Sequence, residues 1–114
     1  MDFKTVKNTD GTVLIIQTPR RLITENSDGL KKLIKNYVDD GHFKIVINLA
    51  ETEYLDSSGL GAIVSKIAQT RSNNGDIRLA SVGEYVMNLL ELTHINQIVK
   101  IFDTPGQAVD SFKG

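Results

Sequence analysis

Apolar positions along this chain fall into blocks with two different periods. Residues 3–7 and 12–18 are rich in β-branched side chains and read as strands. Asn8-Thr9-Asp10-Gly11 joins them, and Asp-Gly is a hairpin signal because glycine accepts the positive φ of a tight turn. Pro19-Arg20-Arg21 then ends the second strand. From there the period changes. Leu30, Leu33, Ile34, Tyr37 and Val38 fall at i, i+3, i+4, i+7 and i+8, which is one face of a helix. Asn26 or Ser27 can cap its start, and Gly41 can close it. Residues 44–49, Lys-Ile-Val-Ile-Asn-Leu, are almost wholly apolar, as in a strand covered on both faces.

The same alternation continues. Leu60, Ile63, Val64, Ile67 and Ala68 predict a second helix, stopped by Asn73-Asn74-Gly75. Residues 77–82 form the next strand, and residues 84–92 a third helix with Val86, Leu89 and Leu90 on one face. A short last strand covers 98–102. Asp103-Thr104-Pro105 starts a final helix with proline at its first position, faced by Ala108, Val109 and Phe112. Strands alternating with helices require crossover connections. The expectation is one α/β domain over residues 1–114: a mixed, mostly parallel sheet with an N-terminal hairpin and about four helices packed on it.

Composition narrows the functions available to that fold. Thirteen basic against fourteen acidic residues leave a net charge of -1, so no basic face for nucleic acid is expected. No long like-charged run suggests a membrane surface, and no apolar stretch approaches the roughly 20 residues that span a bilayer. Cysteine is absent, which excludes disulfides, thiolate metal sites and cysteine nucleophiles. The N-terminus lacks the apolar core of a signal peptide, so a cytoplasmic protein is expected.

One segment carries chemistry. Tyr54-Leu55-Asp56-Ser57-Ser58-Gly59-Leu60-Gly61 lies between a buried strand and an amphipathic helix, where α/β folds place their sites. Asp56, Ser57 and Ser58 all suit a helix N-cap. Gly59 and Gly61 are poor helix formers, which suggests that the surface over that turn must stay bare for a close approach. Read from the residues alone, the segment fits either a plain cap or a site.

The string Tyr54 to Val64 resembles the signature of STAS domains, specifically the anti-sigma factor antagonists, and Leu92 to Ile101 is similar to the family's stretch after its third helix. The resemblance implies a protein that is not an enzyme and needs no cofactor. By position, the family's phosphorylatable serine is Ser57, and Asp56, Ser58, Gly59, Leu60 and Gly61 accompany it on the partner-binding surface, bordered by Arg20, Arg21 and Thr24. It further implies that the unphosphorylated form, a monomer when free, binds an anti-sigma factor of the histidine-kinase-like ATPase class. That partner would also be the serine kinase, and a PP2C-type phosphatase would reverse the mark. Two departures stand out. Asn48 occupies a position where members often have aspartate, and the loop from Thr18 to Thr24 replaces a Gly-x-Leu-Asp-like turn. Both are compatible with the alternative of a non-switching scaffold or sensory module that binds another regulator.

Rival chemistry finds little support. A serine nucleophile needs a positioned base, and His42 and His94 belong to no catalytic motif. Gly59-Leu60-Gly61 is too short for a nucleotide fingerprint. Asp39-Asp40 and Glu51/Glu53 lack the spacing of a calcium loop.

Overall fold

The computed structural model describes residues 3–113. Its first half contains β1 (Lys4–Lys7), β2 (Leu14–Gln17), β3 (Arg21–Leu22), α1 (Thr24–Asp39), β4 (Lys44–Asn48) and β5 (Tyr54–Leu55). There follow α2 (Ser57–Val64), α3 (Ile67–Arg71), β6 (Asp76–Ala80), α4 (Glu84–Leu92), a 3₁₀ turn at Ile95–Gln97, β7 (Ile101–Phe102) and α5 (Pro105–Asp110). The main sheet has the order β1-β2-β4-β6-β7, antiparallel only at the β1–β2 hairpin. This is the expected mixed, mostly parallel sheet.

Local chemistry accounts for the hairpin. The Asp10 carboxylate accepts from the Thr12 amide and hydroxyl, the Asn8 side-chain oxygen accepts from the Val13 amide, and Gly11 takes φ of +77°. Those two Thr12 bonds hold the Asp10 carboxyl below its ordinary value.

Strand β4 lies at the centre, and Ile45, Val46 and Ile47 are fully buried because both faces are covered. On one face Ile45 and Ile47 join Leu14, Ile16, Ile77 and Leu79 beneath Leu30 and Ile34 of α1, Ile63 of α2 and Val86 and Leu90 of α4. On the other, Val46 and Ala80 meet Ala108 and Val109 of α5. The last helix starts as expected, with the Thr104 hydroxyl accepting from the Gln107 amide and proline at the first position.

Three expectations need correction, and one strand pair is additional to them. Helix α1 begins at Thr24 rather than at a cap by Asn26 or Ser27; the Asn26 side chain instead accepts from the Ile23 amide, and Ser27 is buried. The second helix is two, α2 and α3. Its stripe breaks at Ser65-Lys66, where the Ser65 hydroxyl donates back to the Ala62 carbonyl and competes with the helical ladder. The last strand shrinks to Ile101–Phe102, because His94 takes a left-handed φ of +62° and a 3₁₀ turn follows. Finally, β3 and β5 form a parallel two-stranded pair that local pattern does not announce. Leu22 and Leu55 anchor it in the core.

No helix among the described residues is long and apolar enough to cross a membrane.

Candidate functional site

The pairing of β3 with β5 brings the chain at 56 against the start of α1, since the Asp56 amide donates to the Leu22 carbonyl at 3.2 Å. Asp56 is the N-cap of α2. Its Oδ1 accepts from the Gly59 amide at 3.0 Å, while Oδ2 accepts from the Thr24 amide at 3.0 Å and the Thr24 hydroxyl at 3.1 Å. One carboxylate therefore ties together the N-termini of two helices. The bond from the Gly59 amide is the main reason its carboxyl sits below the ordinary value of 3.8; the Thr24 donors and the Ser58 amide add to this against an opposing effect of partial burial. Because the folded value is lowered, the charge stabilises the fold above the ordinary carboxylate range. That contribution disappears as pH falls through the lowered value.

The two serines differ. Ser58 is half-buried, and its Oγ lies 3.2 Å from the Thr24 hydroxyl. Ser57, the first residue of α2, is exposed, and its hydroxyl has no hydrogen-bond partner among the described residues. It stands at the positive end of a helix, in the first turn that Asp56 caps.

The two glycines also part company. A Cβ at Gly59 would overlap the Leu22 carbonyl oxygen, so the close approach there comes from the chain itself. At Gly61, which is exposed, a Cβ would meet nothing within 4 Å. Gly59→Ala is expected to cost about 2 kcal/mol through forced backbone displacement. Gly61→Ala is expected to add roughly 0.5–1 kcal/mol of stability, since alanine is the better helix former. Thermal melting of the pair checks both signs.

Of the other expected surface residues, Leu60 is only 7% exposed and packs in the core, where it holds α2 in place. Arg20 pairs with Glu53 at 3.1 Å, both of them exposed. Arg21 lays its guanidinium 5.0 Å from the centre of the Tyr54 ring. Tyr54 in turn stacks on Tyr85 of α4, with ring centres 5.4 Å apart. Sequence reasoning did not include this ladder. The available signal was Tyr85 itself, a large aromatic next to the apolar stripe of its helix; in the fold it is 50% exposed. Asn48 lies outside this cluster; its side-chain oxygen accepts from the Ala50 amide and shapes the turn after β4. Thr18 and Thr52 close the loop before β3, the Thr52 hydroxyl donating to the Pro19 carbonyl and accepting from that of Thr18.

Neither histidine attends Ser57. His42 lies beyond the far end of α1, whose sixteen residues span about 24 Å, with Nδ1 3.3 Å from the Tyr37 carbonyl oxygen. His94 follows the C-terminal end of α4, whereas Tyr85 at the other end of that helix faces the site. No group of three or more His, Asp or Glu side chains able to hold a metal occurs among the described residues.

Comparison with known proteins matches the STAS domain family over residues 4–108. A candidate anti-sigma factor antagonist of Thermotoga neapolitana is 33% identical over 103 residues, covering 90% of this chain and 91% of that one. The crystal structure of a corresponding candidate antagonist from Thermotoga maritima superposes with a TM-score of 0.89 at 31% identity, over 98% of this chain and 95% of that one. The fold is also that of the Bacillus anti-sigma factor antagonist SpoIIAA. Its unphosphorylated form superposes with a TM-score of 0.75 at 17% identity, covering 98% of each chain. Its phosphorylated form gives 0.77 at 16% identity, over 97% of this chain and 99% of that one.

Proposed function

The chain belongs to the STAS domain family, and we propose that it acts as an anti-sigma factor antagonist whose binding is switched off by a phosphate on Ser57. A single observation carries the choice of residue: the Ser57 hydroxyl is exposed and unengaged among the described residues at the start of α2, while its neighbours Asp56 and Ser58 are both tied to Thr24. The names of the relatives at about one-third identity support the choice of partner.

In this reading the unphosphorylated protein, a cytoplasmic monomer, binds an anti-sigma factor of the histidine-kinase-like ATPase class and releases the sigma factor. The same partner is the kinase, so ATP and magnesium belong to it. The Ser57 oxygen bonds to the γ-phosphorus as the bond to ADP breaks, and the hydroxyl proton passes to a base on the partner. A PP2C-type phosphatase then adds water across the new O–P bond and returns the serine. Phosphate at Ser57 brings about 1.5 to 2 negative charges and three acceptor oxygens to a helix end that tolerates them. Its cost falls on the interface.

Phosphopeptide mapping of the chain isolated from its own cells tests the assignment. Phosphate is expected on Ser57 and absent from Ser58; phosphate on Ser58 or Thr24 alone removes Ser57 as the switch. Gly61→Ala adds a second check, because a variant that melts higher yet binds the partner more weakly places the bare helix face in the interface.

A further inference from the structure

A groove of about 210 Å³ opens between α1 and the break that separates α2 from α3, lined by Lys31, Lys32, Lys35, Ser65 and Lys66. The geometry points to this groove as a second docking point, for an acidic segment of the same protein that binds at Ser57. The inference rests on the partner-switch reading and deepens it by fixing the sign of the partner's surface.

Four lysines converge in a chain whose net charge is -1, so the patch is local rather than a reflection of composition. Lys35 reaches Asp39 at 2.7 Å. Lys31, Lys32 and Lys66 make no ion pair among the described residues, although Asp28 lies one turn before both Lys31 and Lys32. Like charges one turn apart, as at Lys31 and Lys35, weaken a helix. A negative partner surface removes that penalty and supplies the missing counter-charge.

Position makes the groove continuous with the Ser57 end. The bonds from Thr24 to Asp56 and Ser58 hold the two helix starts together. Further along, Lys31, Lys32 and Lys35 of α1 share the groove with Ser65 and Lys66 beyond the end of α2, so the two helices run side by side in the same direction. The exposed residues Ser57 and Gly61 of α2 and Ser65, its C-cap, follow at i, i+4 and i+8. This bare stripe leads from the serine to the groove over about 12 Å. An interface of ordinary size covers roughly 800 Å² per partner, a disc of about 16 Å radius, and includes both ends.

The sign is consistent with the switch. A phosphate on Ser57 repels the facing surface most strongly when that surface is itself negative. An acidic partner satisfies the lysines at one end and responds to the phosphate at the other.

The test uses the ATPase captured on the wild-type chain, purified and titrated at roughly 50 mM and 500 mM salt. A Lys31→Glu/Lys66→Glu double variant is expected to bind at least tenfold more weakly at the lower salt, with the gap closing at the higher, where the Debye length is only a few ångströms. Lys100→Glu, just before the edge strand β7, should stay within twofold of wild type. Matching melting curves confirm that the variants fold. Equal affinities and equal salt dependence for wild type and double variant overturn the docking proposal and leave the Ser57 reading standing. Vesicles containing phosphatidylglycerol and a 20-base-pair duplex serve as competing arms. If the double variant loses binding to either while its affinity for the ATPase is unchanged, the lysines serve that polyanion and the proposal falls. Should the wild-type chain capture no such ATPase, the anti-sigma reading itself fails, and the docking proposal with it.

Discussion

Ser57→Asp is expected to weaken the complex with the anti-sigma ATPase by at least about a hundredfold while leaving the melting temperature nearly unchanged. The hundredfold corresponds to about 2.7 kcal/mol, which is modest for a charge placed in an interface without a counter-charge. Stability is spared for a local reason. Ser57 is exposed, its hydroxyl makes no bond among the described residues that the substitution would break, and a carboxylate in the first turn complements the helix dipole. Titration calorimetry with the purified ATPase measures the first effect and thermal melting the second. Ser57→Ala should bind like wild type and resist phosphorylation. Ser58→Asp provides the contrast: its carboxylate would enter the Thr24 and Asp56 cluster beside an existing negative charge, so its melting temperature should fall. Tight binding by Ser57→Asp sinks the interface-charge mechanism. A large drop in its melting temperature points instead to a structural role for the serine.

The sequence made the framework legible where local signals agreed with the fold. The stripe of Val86, Leu89 and Leu90 marked α4 at its observed limits, and Thr104-Pro105 marked the start of α5. The Asp-Ser-Ser-Gly string located the strand-to-helix turn, and Asp56 caps it. What escaped depends on contacts distant in sequence. Strands β3 and β5 are two residues each and exist because Leu22 and Leu55 bury together across 33 positions. The ladder of Arg21, Tyr54 and Tyr85 joins three elements, and no periodicity connects them. The two glycines of the motif look alike in sequence. Only the position of the Leu22 carbonyl shows that Gly59 answers to the chain's own packing and Gly61 to open space. The break at Ser65 turned on one hydroxyl bonding back to Ala62, a choice that apolar spacing does not record.

The largest expected loss of stability lies at the other end of the sheet, in a buried ion network. Asp76 opens β6 with its side chain 5% exposed. One carboxylate oxygen accepts from Arg71 Nε and the Ile77 amide, both at 2.9 Å, and the other accepts from Arg78 Nε at 3.0 Å. Arg78, 13% exposed, also donates to the Ser111 hydroxyl and lies 4.1 Å from the centre of the Phe112 ring. Arg71 reaches the Ile98 carbonyl. The carboxylate thus joins α3, β6, the end of α5 and the turn before β7. Asp76→Ala strands the Arg78 guanidinium without its counter-charge, and removing one member of such a network costs roughly 3 kcal/mol, a fall in melting temperature on the order of 12 °C. Asp76→Asn keeps the shape and loses the charge, so a smaller fall is expected. Partner binding below the melting transition should be untouched, because Asp76 pairs in register with Lys44 at one end of the parallel strands, while the site follows Asn48 and Ala80 at the other. Combining Asp76→Ala with Ser57→Asp should therefore lower stability by the first amount and affinity by the second, with no coupling between them. A melting temperature for Asp76→Ala equal to wild type would show that the network contributes nothing net. A loss of binding in the folded Asp76→Ala protein would show that the two ends of the sheet are mechanically linked.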